Sequence, residues 1–340
     1  MATYKEIKGT NIEILSSDPS YPISGQVWYN STSNVLKGQG ATTTGSWSTG
    51  GNLNTARNGN AGAGTQTASI VFGGRTPPNN YVGNTELYDG SSWTEVNDLN
   101  TGRYDLGSAT AGTQTASLAF GGGTSGPDNY YALCESFNGT NWTEVNDLTT
   151  GNPGRVGLAG AGTQTAALAF GGYRHDGSGH RLADTETWNG TNWTEVNNLN
   201  QNRTGIGGCG ANNTAALAFG GTTPPVQAVT ELWNGTNWTE VNDLNTARET
   251  GASIGISTAA LYVGGYTNTF VAITEEWNGT NWTEIADLAT ARSYGIAGSG
   301  STTSGLVAGG QTAPGTANVS ALTEEWLGAG SPTTVTFTDS

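Results

Sequence analysis

The chain has 340 residues, 53 of them Gly and 11 Trp, with 34% hydrophobic and 11% charged residues and a formal net charge of −15. With three lysines in all it lacks the basic stripe that follows nucleic-acid phosphates, no stretch is apolar for the length of a bilayer span, and residues 1–10 have no apolar core of the secretory kind, so nucleic-acid binding and membrane insertion are excluded and synthesis without a signal peptide, in a cytoplasm, is expected. The Gly content would suit a low-complexity chain, but the glycines fall at fixed places and Trp is abundant, which favours an ordered, β-rich protein.

Residues 1–24 are polar and Pro-punctuated and read as an arm. Gln26–Asn30 and Asn34–Lys37 flank a Ser-Thr-Ser turn, a hairpin signal. At Trp47 a repeat begins: residues 46–57 (SWSTGGNLNTAR) align with residues 237–248 (NWTEVNDLNTAR). Each following unit has a Gly/Ala-rich segment, an apolar strand ending in Gly-Gly, a variable loop and a hairpin. The hairpins are residues 86–96 (ELYDGSSWTEV), 135–145 (ESFNGTNWTEV), 186–196 (ETWNGTNWTEV), 231–241 (ELWNGTNWTEV) and 275–285 (EEWNGTNWTEI), with a half-copy at Glu324-Glu325-Trp326. Their Asn-Gly or Asp-Gly pairs predict tight turns with positive φ at both residues.

The Gly-Gly pairs begin at 73, 121, 171, 220, 264 and 309, giving periods of 48, 50, 49, 44 and 45 residues. Such periods, with four strands each, predict an all-β propeller of six blades. The Gly/Ala segments suit crowded inner strands, and the Trp side chains suit the widening gaps between blades. Because the last unit lacks its second hairpin strand and Trp47 begins an orphaned one, residues 44–49 are expected to pair with residues 322–327 and close the ring. The C-terminal residues 333–338 compete for that place. Cys134 and Cys209 are expected to be free thiols in the core.

The Gly-Gly pair after an apolar strand, the Tyr or Trp before the turn, the Trp after it and the Arg opening the next unit together resemble the kelch repeat of galactose-oxidase-like propellers. The resemblance implies a six-bladed kelch-like propeller over residues 44–328, preceded by a docking arm and hairpin (1–43) and followed by a tail (329–340). The segment running from Gly25-Gln-Val-Trp-Tyr-Asn30 and Val35-Leu-Lys37 through Gly51–Arg57 to Gly64–Ala68 is also similar to virion and tail-associated proteins of tailed bacteriophages, especially marine ones, which implies a place on a virion.

Arg57, Arg103, Arg155, Arg203, Arg248 and Arg292 recur once per unit and are expected to ring one mouth of the channel, each paired with a carboxylate or carbonyls. Glu86, Glu135, Glu186, Glu231, Glu275 and Glu324 recur at the matching point of each hairpin. Unpaired arginines would instead make an anion-binding mouth. The loops after Gly-Gly (75–84, 123–133, 173–184, 222–229, 266–273, 311–322) vary most and should share the face of the arginines. Recognition is usually placed on such loops, so Tyr81, Tyr130, Tyr131, Tyr173, Arg174, Tyr266 and Phe270 are candidates for contacting a glycan or protein.

His175 and His180 share one loop, where only Asp176 or Asp184 could complete a metal site, so neither metal nor cofactor is expected. Two histidines in one loop give no nucleophilic triad, the copper arrangement of galactose oxidase and the sialidase box are absent, and no Gly-rich run ends as a phosphate loop does. The Asn-x-Ser/Thr sequons are read as turn chemistry. The expected function is a non-enzymatic virion protein, at the tail or decorating the capsid, that meets a host-surface glycan or protein through its loop face and other virion proteins through residues 1–43, with self-association left open. The alternative is a hydrolase or lyase acting on surface polysaccharide.

Overall fold

In the hairpin at residues 185–196, Trp188 faces Trp193 and Thr185 faces Val196, so the connection is a four-residue loop. Asn189 Oδ1 accepts the backbone N–H groups of Thr191 and Asn192 at 2.9 and 2.8 Å, and within the loop only Gly190 has a positive φ, 91°. The same holds at Asp89, Asn138, Asn234 and Asn278. The expected left-handed pair is corrected: the Asn or Asp acts through its side-chain oxygen, an Asx turn, and glycine alone takes the left-handed step.

The computed structural model describes residues 12–20, 26–41, 44–125, 129–150, 154–175, 180–330 and 332–337. They divide into two units, residues 46–326 and residues 1–45 with 327–340. Among the described residues the larger unit holds six four-stranded sheets. The first runs Ala61–Thr65, Ala68–Phe72, Thr85–Tyr88 and Trp93–Val96 in antiparallel order, and each of the others repeats this pattern. The chain leaves each second strand through two left-handed glycines, as at Gly73 (φ 67°) and Gly74 (φ 114°). Gly74 N–H then reaches Arg103 O of the next unit at 2.8 Å, and a Cβ on Gly73 would lie 2.9 Å from that same oxygen. This crossing explains why every unit carries the glycine pair.

Sheets pack through rings. Trp142 lies edge-on to Phe72 of the preceding unit at 4.8 Å, and Trp193, Trp238 and Trp282 meet Phe120, Phe170 and Phe219 at 5.0, 4.9 and 5.0 Å. The indole N–H groups of Trp142, Trp238 and Trp282 donate to the hydroxyls of Thr85, Thr185 and Thr230 in the preceding sheet. Burying one such ring contributes about 3 kcal/mol before its edge contacts are counted.

The sixth sheet orders Ala297–Gly300, Ser304–Ala308, Thr323–Leu327 and then Ser46–Thr49, drawn from the other end of the chain. Trp47 lies 5.2 Å from Trp326, and Gly50 N–H and Leu53 N–H donate to Thr323 O and Ala321 O, each at 2.9 Å.

In the smaller unit Val27–Asn30 and Val35–Ala41 form the hairpin, Glu13–Leu15 adds in parallel, and Pro332–Phe337 pairs antiparallel with Val35–Ala41. The C-terminal strand therefore belongs to the N-terminal sheet and not to the last repeat. Trp28 is its buried centre, and Asp18 accepts from Trp28 Nε1, Asn30 Nδ2 and Lys37 Nζ, which lowers its carboxyl to about 2, Lys37 contributing most. Residues 1–11 and 21–24 of the expected arm lie outside the described residues.

Candidate functional site

Each unit enters its first strand through an Arg followed by two residues that break the repeat. The six arginines are wholly buried. Arg155, Arg203 and Arg292 meet Glu186, Glu231 and Glu324 at 2.9, 2.7 and 2.9 Å, and Arg57, Arg103 and Arg248 pair with Glu86, Glu135 and Glu275. Each of these glutamates also accepts backbone N–H groups of the inter-unit loop, as Glu231 does from Asn200. The arginines do not line the cavity. They are struts that pin the loop between units to the next hairpin, and with 0% exposure they offer no free charge to an anion.

The residue next to each Arg bridges to the residue after Gly-Gly: Asn58 to Arg75, Tyr104 to Gly123, Val156 to Tyr173, Thr204 to Thr222, Glu249 to Tyr266 and Ser293 to Gln311. This pairing brings the variable loops to the same end as the first-strand entrances.

The second residue after the Arg is left-handed in every unit: Gly59 (φ 66°), Asp105 (51°), Gly157 (61°), Gly205 (60°), Thr250 (57°) and Tyr294 (58°). The sixth unit has one residue more and adds Gly295 (65°). At this step Asp105 N–H donates to Gly59 O, Gly157 to Asp105, Gly205 to Gly157, Thr250 to Gly205 and Gly59 to Tyr294, all at 2.8–2.9 Å. The Thr250 and Ser293 hydroxyls, 2.6 Å apart, join the fifth unit to the sixth. Glycine is the natural occupant of such a position, and an L residue there costs roughly 1–2 kcal/mol, most for β-branched Thr250.

Asp105, Thr250 and Tyr294 project at a cavity of about 300 Å³ lined by the first strands of the sheets, together with Tyr173, Thr204 and Glu249. Burial raises the Asp105 carboxyl from 3.8 to about 6 against the pull of Arg75. Burial also raises Glu249, opposed by Arg181, and raises the phenols of Tyr104, Tyr130 and Tyr294, so these stay neutral donors at neutral pH. Deeper in, the wall is glycine where a side chain cannot fit: a Cβ on Gly160 would lie 2.2 Å from Ser108 O and one on Gly298 2.4 Å from Ser253 O.

The sequence candidates distribute unevenly around this opening. Tyr173 lines the cavity. Tyr81 packs tilted against Tyr104 at 5.2 Å, Tyr130 meets Tyr173 edge-on at 6.1 Å, and Tyr266 and Phe270 meet Tyr294 tilted and edge-on at 5.9 and 5.7 Å, so the opening is flanked by three partly exposed aromatic groups. Tyr131 turns away; its backbone holds Gly122 and Arg155 and its hydroxyl lies 3.3 Å from Thr124. Arg174 pairs through its backbone with His180 across the short hairpin of its loop. Asp176 lies outside the described residues, and no group of three or more potential metal ligands occurs among those described. Sequence reasoning passed over Tyr104, Asp105, Glu249, Thr250 and Tyr294. Their signal was present: they are the residues after the Arg that fail to repeat.

Cys134 and Cys209 are buried, free thiols, each raised by burial. Cys134 stands where other units have the Trp-bonding Thr, so Trp193 Nε1 meets a weakly accepting thiol in place of a hydroxyl and makes no well-formed hydrogen bond.

No known family model matches the chain, and no curated protein matches it. Among solved structures, that of YjhT aligns with a TM-score of 0.66, 13% identity, and coverage of 84% of this chain and 99% of its own. At that identity the likeness is one of fold: an all-β propeller of repeated four-stranded antiparallel sheets.

Proposed function

We propose that residues 46–326 form a closed, six-bladed wheel of the kelch type, and that it serves as a non-enzymatic recognition module holding a host-surface glycan at the opening of its cavity. Support for closure comes from ties that link the first unit to the sixth as they link the others. Trp93 donates to Thr323 as Trp142 donates to Thr85, and Gln66 donates to Trp326 O as Gln114 does to Tyr88 O. The particle context, a phage virion, rests on the resemblance of the N-terminal segment to virion proteins. In that reading residues 1–43 dock on neighbouring virion proteins or a further copy, aided by the C-terminal strand.

One observation carries the recognition reading: aromatic groups with polar rims gather at the variable end (Tyr81–Tyr104, Tyr130–Tyr173, Tyr266–Phe270–Tyr294), whereas the opposite hairpin turns are uniform. Flat rings beside hydroxyls and carboxyls suit the faces and edges of sugars. Binding to a glycan array and to whole cells, without release of reducing ends, is the expected result, and Tyr130→Ala with Tyr266→Ala should weaken it. Unchanged binding by that double variant would place recognition elsewhere. A second reading, polysaccharide cleavage, is favoured by Asp105 and Glu249, two carboxyls raised by burial that line one cavity, as a general acid requires. Turnover lost in Asp105→Asn would establish it.

A further inference from the structure

We propose that the opening takes the terminal, uncharged sugar of a glycan end-on, with Asp105, Glu249 and Thr250 receiving its hydroxyl groups and Tyr294 covering its face. This rests on the glycan-binding reading and narrows it from a surface contact along a chain to capture of a chain end.

Three observations converge. In residues 46–326, the non-glycine residues with left-handed backbone among those described are Asp105, Thr250 and Tyr294. All three occupy the one repeat position where the other units have glycine, and all three line the same cavity. A fold indifferent to these side chains would keep glycine there, as it does at Gly59, Gly157 and Gly205; strain retained at one opening points to a ligand.

The cavity, about 300 Å³, lies at the small end of the range for ligand pockets, roughly 300–1,000 Å³. That volume matches one or two sugar rings better than a longer stretch of polymer. Its deeper wall is mostly glycine, alanine and aliphatic side chains, with Ser108 and Ser253 already hydrogen-bonded to Gly62 O and Gly208 N–H and the Thr110 hydroxyl unpaired, so carboxyl and phenol chemistry is concentrated at the rim. There the rim offers carboxyl and hydroxyl groups. Arg75 and Arg181 act on Asp105 and Glu249 but do not line the cavity. With two carboxyls facing inward on a chain of net charge −15, an anionic sugar is disfavoured and a neutral polyol is matched.

The test uses the full chain and methyl glycosides of neutral hexoses and N-acetylhexosamines as probes, read by saturation-transfer NMR and by competition against an array-positive glycan. At least one glycoside should bind and displace the glycan, and methyl glucuronide should not. The triple variant Asp105→Gly, Thr250→Gly, Tyr294→Gly restores the residue found in the other units. It should melt no lower than the parent yet bind the glycoside at least tenfold more weakly. Should the triple variant fold poorly, the near-isosteric Asp105→Asn must show the tenfold loss alone. An array-positive glycan that no methyl glycoside displaces, or that the variants bind as the parent does, overturns end-on capture while leaving glycan recognition standing. A chain that binds no glycan at all removes both.

Discussion

The repeat is informative at single residues because each position has five internal controls. Trp193 is the one outer-strand indole of the set that faces a thiol, Cys134, where its counterparts Trp142, Trp238 and Trp282 face a threonine hydroxyl. A thiol accepts weakly, so the N–H is under-satisfied. Cys134→Thr should stabilise the protein by about 1 kcal/mol in urea unfolding, whereas Cys134→Ala should not; an equal response to both would show that the indole is content as it stands. Asp105 makes a second prediction, through proton linkage. Its carboxyl holds a proton up to about pH 6 when folded and only to 3.8 in its ordinary state. Between those values the folded state binds the extra proton, so the contribution of Asp105 to stability falls as pH rises from about 4 to about 6 and stays lower above. Relative to the parent, Asp105→Asn should gain on the order of 1–2 kcal/mol across that window, after allowance for screening at a half-buried site. Parallel stability curves for the two proteins from pH 4 to 7 would contradict it.

At the scale of the element, the Arg–Glu strut is the part a reader of the sequence sees most easily, since an Arg stands 16–18 residues before every Gly-Gly pair and a Glu opens every hairpin. Arg203 sits wholly buried between Gly220 O, Val229 O and Glu231. Replacing it with Met leaves a buried carboxylate unpaired and should cost about 3–5 kcal/mol, and adding Glu231→Gln should recover part of that. Two independent, additive losses in chemical denaturation would argue against a coupled pair. The hairpins, the Gly-Gly crossings and the Trp47 strand were legible for the same reason: recurrence multiplies a weak local signal. Glu13–Leu15 was not, because a three-residue strand has no period to read, and Pro332–Phe337 was legible as a strand but not in its partner, because the partner of an edge strand is chosen by the sheet it meets. The cavity rim was missed for the opposite reason. Asp105, Thr250 and Tyr294 are exceptions to the repeat, and no residue type announces a left-handed backbone as glycine does.

For the larger unit as a whole, the question is whether six sheets act as one cooperative body or as a row with loose ends. In an open row each sheet is held by its neighbours alone and the terminal ones fray first. In a closed wheel the sheet that borrows Ser46–Thr49 is as constrained as any other. Trp47 reports on this directly. It is half-buried, stacks on Trp326 at 5.2 Å and donates to Thr274 Oγ1 at 3.2 Å and Ala286 O at 3.1 Å, so it touches both its own sheet and the preceding one. Trp47→Ala removes those contacts, and the loss should be about 2 kcal/mol given partial exposure. In a wheel that loss lowers the midpoint of a single transition, with the denaturant slope unchanged, because no sheet unfolds without the rest. In a row, the same substitution releases the end sheet locally. The main midpoint then stays near the parent value, a low-denaturant phase appears, and amide exchange accelerates in Ala297–Gly300 and Ser304–Ala308 alone. Trp238→Ala, within the contiguous part of the chain, sets the scale: a shift of the same kind from both sites is what a closed wheel requires.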